Sequence, residues 1–151
     1  MQIVLIIRGP YNTHMDARTL QSLTDAQCRS LEKIGVVLLY LHGSVATGRA
    51  RTDSDVDIAV LFERMPKDTV AATTAIVSAL TGFEIGREMD IAILNEASPL
   101  LNQMVASQGK LLYARLPDDA LRFEIRAMHE YEYSRQVVRL GQELVLKHAH
   151  I

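Results

Sequence analysis

The 151-residue chain has one cysteine, no apolar run long enough to cross a bilayer, no basic cluster and no histidine pair at metal-ligand spacing. Each absence removes a class of function. Lone Cys28 cannot close an internal disulfide; in an apolar helical stretch it reads as a small buried side chain, which suits a reducing cytoplasm. The opening Met1-Gln2-Ile3-Val4-Leu5-Ile6-Ile7 is apolar but too short to span a membrane, and it lacks the basic start and small-residue cleavage site of a secretory signal. No membrane is expected. A net charge of −2 and an isoelectric point near 6.2 give no global basic field, and the Lys and Arg residues are scattered, so nucleic acid is not an expected partner. Of the five histidines, His148 and His150 sit at the C-terminus, and His42 reads as a structural residue at a strand end.

At 48% hydrophobic residues the chain has enough apolar material for one domain with a real core. Residues 1–14 read as an N-terminal extension, foreign to the domain or an added edge strand, with Met15 as an alternative start and 15–151 as the single domain. Thr24 with Gln27 forms a capping box for a helix running to Ile34 and stopped by Gly35, with Leu31 and Ile34 toward a sheet. A second helix is expected from about Lys67 to Leu80, its face made of Val70, Ile76, Val77 and Leu80, with Gly82 as stop. Ser98-Pro99 starts a third helix that ends at Gly109, and Leu111 to Ala114 follows as a short strand. From Pro117 to about His148 one long helical pattern carries Leu121, Ile125, Met128, Val137, Leu140, Leu144 and Val145 as an apolar stripe. Thirty residues of helix extend about 45 Å. That exceeds what a small domain needs, so part of the stripe is expected to meet a partner, with Tyr131 and Tyr133 as interface anchors or ordinary surface aromatics. The fold class is α/β (α+β): a mixed sheet flanked by helices with a long C-terminal helix.

The chemistry concentrates between Val36 and Phe62. Val36-Val37-Leu38-Leu39-Tyr40-Leu41-His42 is a continuous apolar run that reads as a buried strand ending at Gly43-Ser44; ten residues later Asp55-Val56-Asp57 opens a second strand. Side chains alternate along a strand, so Asp55 and Asp57 share a face opposite Val56, Ile58 and Val60. Two carboxylates so placed repel one another unless one is protonated or a cation sits between them. Mg²⁺ is the simpler solution, because it takes one or two carboxylates plus phosphate oxygens and water. Gly43 lets the chain turn without a Cβ, and Ser44 offers a hydroxyl and an N–H to phosphate. Glu88-Met89-Asp90-Ile91-Ala92-Ile93-Leu94 reads as a further strand. Its Asp90 is either a third metal ligand and general base or part of a polar strand entrance.

Gly43-Ser44, ten residues, Asp55-Val56-Asp57 and then Asp90 in a later strand together resemble the minimal nucleotidyltransferase domain of the polymerase β superfamily. Asn95 to Leu101 followed by Gly109-Lys110-Leu111-Leu112-Tyr113, with the compact length, resemble the MNT (MntA-like) antitoxins that pair with HEPN-type toxins. The resemblance runs from about Leu23 to the C-terminus. It implies Asp55, Asp57 and Asp90 as metal-binding acids, Asp90 also as base, and Gly43 and Ser44 as the triphosphate-binding turn. It further implies Arg49 or Arg51 as a charged phosphate donor, with Thr47 where many members carry another basic residue. Two Mg²⁺ ions and ATP as substrate follow, with AMP passing to a tyrosine of a cognate HEPN-type toxin in a hetero-oligomer and silencing it. The chain has no room for the extra helical domain that small-molecule nucleotidyltransferases use for their acceptor. Two other readings stand beside this one: a non-catalytic subunit that covers its toxin, and nucleotidyl transfer to a small molecule or an RNA end.

Overall fold

Thr24 and Gln27 close the first helix from both sides. The Gln27 N–H donates to Thr24 Oγ1 (3.2 Å) and the Thr24 N–H to Gln27 Oε1 (2.8 Å), the reciprocal pair of a capping box. Helix α1 spans Asp25–Ile34, and Gly35, at φ 86°, ends it in a conformation that side chains with a Cβ resist. The computed structural model describes residues 22–49, 55–83 and 88–149. The expectation for residues 1–14 lies outside them.

Strand β1, Val36–His42, is buried from Val36 to Leu41. The reason is its position: it is a central strand of a four-stranded sheet ordered β3-β2-β1-β4 and covered on both faces, which selects a continuous apolar run. Strand β2, Val56–Phe62, pairs antiparallel with one edge of β1, and β4, Lys110–Ala114, with the other. Strand β3, Met89–Ile93, runs parallel to β2, a direction that requires a crossover; α3, Thr69–Ala79, supplies it. Helix α2 is a single turn over Gly43–Ala46, and α4 spans Pro99–Gln108, capped by Ser98 with Pro99 in its first turn. Helix α5 runs over Asp119–Ala149. The sheet is mixed and flanked by helices, as the sequence pattern implies.

Two cores form, one on each face. Leu31 of α1 with Ile76 and Leu80 of the α3 region pack on Leu39, Leu41, Ile58 and Val60. Val105 of α4 with Phe123 and Ala127 of α5 pack on Leu38, Tyr40 and Ala59. Along β2 the faces alternate, Val56, Ile58 and Val60 toward the first core and Ala59 and Leu61 toward the second. Asp57 shares the parity of Ala59 and Leu61. On β1 the alternation slips once: Val37 and Leu38 both reach the second core, where the register with β2 shifts. Beyond this bulge the alternation is regular, so His42 lies on the same face as Tyr40.

Two expected helix faces differ from the observed ones. On α3, Val70 and Val77 are exposed, while Ile76, Leu80 and the partly buried Ala72 and Ala79 point inward. Residues 72, 76 and 79 follow the three-and-four spacing of one face, whereas 70 and 77 line up with each other on the outer side. On α5, the whole stripe from Leu121 to Val145 is exposed; Ala120, Phe123 and Ala127 make the contact with α4 and the sheet. Residues 120, 123 and 127 follow the three-and-four spacing of one face, on which Phe123 fills the core between two alanines.

Candidate active site

The site begins where β1 runs out. Gly43 adopts φ 71°, and a Cβ built there would fall 2.9 Å from Asp57 Cγ and closer still to Oδ2. Any side chain here would displace the Asp57 carboxylate or the turn. The absent Cβ is the space the Asp57 carboxylate occupies, so that carboxylate lies directly against the turn. The turn is held by its own bonds: the Thr47 N–H donates to the Gly43 carbonyl (3.2 Å), the Arg49 N–H to the Ser44 carbonyl (2.9 Å), and the Thr47 hydroxyl reaches both carbonyls. In a single helical turn the first N–H groups have no partner within the helix, which leaves those of Gly43, Ser44 and Val45 for a ligand's oxygens.

Register builds the rest. His42 pairs with Asp57 across β1 and β2, and Asp57 pairs with Asp90 across β2 and β3. Three adjacent strands thus present His42, Asp57 and Asp90 as one row. Directly opposed side chains on neighbouring strands lie about 5 Å apart at Cβ. The Asp90 assignment is therefore not a matter of sequence spacing: the parallel register brings it beside Asp57 although 33 positions separate them. Asp55 stands two residues before Asp57, exposed and immediately ahead of the first residue of β2. Among the described residues, no three acidic, histidine or cysteine side chains close into a metal cluster. The acids form an open row.

His42 is half-buried. Burial pulls its imidazole below the ordinary value, and the Asp57 and Asp90 carboxylates pull it back up. The opposition places both acids within electrostatic reach of the ring. Arg49 is exposed on the loop after α2, whereas Arg51 lies outside the described residues. At the opposite end of β2 the Asn95 side chain clips the strand, accepting from the Phe62 N–H and donating to its carbonyl, both at 2.9 Å. Nothing in the sequence marks Asn95 for this, because its partner is a backbone 33 residues away. His42 is visible in the sequence as a strand end, yet its place in the acid row needs the register.

A Gly-Ser turn at the end of one strand, an Asp-x-Asp pair opening the antiparallel neighbour and an aspartate on the parallel strand beyond define a nucleotidyltransferase-type domain. Residues 29–118 match the family described as polymerase beta, nucleotidyltransferase. The chain is 32% identical over 120 residues to the protein adenylyltransferase MntA of Aphanizomenon flos-aquae, covering 73% of this chain and 79% of that protein. It therefore belongs to the polymerase β nucleotidyltransferases and, among them, to the family of the MntA protein adenylyltransferases. Among solved structures it resembles a toxin–antitoxin crystal structure with AMP-PNP (TM-score 0.62, 28% identity, 78% of this chain and 94% of the other). It also resembles a complex of tri-AMPylated Shewanella oneidensis HEPN toxin with MNT antitoxin (TM-score 0.55, 25% identity, 80% and 96%).

Proposed function

We propose that the chain is an antitoxin that transfers AMP from ATP to a tyrosine hydroxyl of a cognate HEPN-type RNase toxin and thereby silences it. The observation that carries this reading is the row of Asp57 and Asp90 beside the Gly43 turn, which aligns a carboxylate pair with a phosphate cradle. Hard carboxylate oxygens in an open row fit Mg²⁺, which leaves coordination positions for phosphate and water. Asp55, Asp57 and Asp90 would hold the ions. Two Mg²⁺, when bound, neutralise the triphosphate and polarise the α-phosphoryl group.

This chain's own residues bind and orient. The Gly43, Ser44 and Val45 N–H groups and the Ser44 hydroxyl receive the terminal phosphates, and Arg49, on the loop after α2, or Arg51 adds a charged donor. The tyrosine oxygen attacks the α-phosphorus in line, the bond to the bridging oxygen of the β-phosphate breaks, and pyrophosphate leaves. Asp90, on the far side of Asp57 from His42, takes the phenolic proton. A phenol near pKa 10 needs that help at neutral pH. The reducing interior of a cell suits buried Cys28, and no described helix is long and apolar enough to cross a membrane.

Incubation of the chain and its HEPN partner with α-labelled ATP and Mg²⁺ tests the reading. Label is expected on the toxin and lost when Asp55→Asn and Asp57→Asn are combined. Persisting label would overturn the site assignment; undiminished toxin neutralisation by the unlabelled pair would make the chain a covering subunit instead of an enzyme.

A further inference from the structure

His42 shares its row with Asp57 and Asp90, and the transfer as described gives it no role. Strand β1 is apolar from Val36 to Leu41 and ends on this half-buried imidazole, immediately before the phosphate turn. Register supplies its neighbours. His42 is paired directly with Asp57, and Asp57 with Asp90, so the three side chains project to the same side of the sheet. Both carboxylates act on the ring electrostatically. The Asp57 carboxylate, moreover, leans toward β1: it occupies the space beside Gly43, where a Cβ would fall 2.9 Å from Asp57 Cγ. Gly43 is the residue next to His42. The acid and the imidazole are thus neighbours both across the strand pair and along the turn.

A row that reads imidazole, carboxylate, carboxylate is a different donor set from carboxylates alone. Mg²⁺ is a hard ion that takes oxygen ligands and dehydrates reluctantly. Mn²⁺ takes carboxylate and phosphate oxygens as Mg²⁺ does, but it belongs to the first-row series that also binds nitrogen. It is therefore the ion that can use the whole row and still hold a nucleotide. About 5 Å between opposed Cβ atoms leaves room for one ion between two side chains, each donor about 2 Å from it. Among the described residues no three such side chains already converge; convergence on one ion requires rotation about the χ1 and χ2 torsions that Asp and His both possess.

We propose that the His42 imidazole is a further ligand of the divalent ion held by Asp57 and Asp90, and that it turns the preference of the site from Mg²⁺ toward Mn²⁺. The inference rests on the reading of the acid row as a metal site and adds the donor that decides which ion is preferred.

Pulsed electron paramagnetic resonance of Mn²⁺ bound to the full chain tests this, with ATP carrying a methylene group between its α- and β-phosphates so that no transfer occurs. Histidine labelled with ¹⁵N separates imidazole nitrogen from the nitrogens of adenine. The unaltered chain is expected to show the imidazole coupling, and His42→Phe, checked for folding by circular dichroism, to lose it although the four other histidines remain. Loss of a mere outer partner of a ligand costs about 10–100-fold in metal affinity, so calorimetry should show His42→Phe binding Mn²⁺ at least about tenfold more weakly, with Mg²⁺ affinity nearly unchanged. Mn²⁺ whose binding is weakened by Asp57→Asn but which shows no imidazole coupling overturns this inference and leaves the acid row standing. So does coupling that persists in His42→Phe, which would assign it to another histidine. Failure of Asp57→Asn to weaken the binding of either ion overturns the acid-row reading itself, and this inference with it.

Discussion

At Gly43 a single hydrogen in place of a methyl group lets the Asp57 carboxylate lie against the phosphate turn. Gly43→Ala forces either the turn or the carboxylate to move. A displacement of about 1 Å in a reacting geometry costs on the order of 10²-fold in rate. Single-turnover transfer by this variant is therefore expected to fall by about that factor, with circular dichroism unchanged. Tyr40 illustrates a different cost. Its ring packs 5.7 Å from that of Phe123, but among the described residues its buried hydroxyl has no partner. Tyr40→Phe removes an unmet polar group, and urea unfolding should show the variant equal to the parent or more stable by about 1 kcal/mol. The tyrosines also set the alkaline limit. Burial pushes Tyr113 up to about 12 from 10.0, and Tyr40 moves the same way. Because the fold favours the neutral phenols, the stability they contribute is complete below pH 10 and is lost as pH rises through 12. Tyr113→Phe should make the decline in melting temperature above pH 10 shallower.

Among the elements, the ends of helices were the most legible in sequence. Thr24, Gln27 and Gly35 bound α1 by local hydrogen bonding, and Ser98, Pro99 and Gly109 bound α4, so residues three or four apart carry the whole signal. Faces were less legible. Val70 and Val77 look like core by type, but α3 turns its alanines inward, and periodicity alone does not say which of two apolar stripes meets the sheet. In the site, strand alternation is the basis for expecting Asp55 beside Asp57, whereas the neighbourhood of His42, Asp57 and Asp90 is a fact of register among three strands. A similar long-range tie sits at the far end of β2. Asn95→Ala leaves the Phe62 N–H and carbonyl without their side-chain partner, and is expected to destabilise the domain by about 1–3 kcal/mol in thermal unfolding.

On the scale of the whole molecule, the chain divides into a two-core nucleotidyltransferase domain and a projecting half-helix. The domain places Asp57 and Asp90 at one end of the sheet face that α4 and α5 cover. The projecting half of α5 carries an exposed apolar surface. The chain carries the Gly43-Ser44 turn and the aspartates Asp55, Asp57 and Asp90. The central claim is that this row transfers adenylate to a protein. Its most direct test is the intact mass of the HEPN-type toxin after co-expression with this chain or with a variant combining Asp57→Asn and Asp90→Asn. With the unaltered chain the toxin should gain the mass of one or more adenylates, and with the variant none. An unmodified toxin in both, or a modified toxin in both, would contradict the claim.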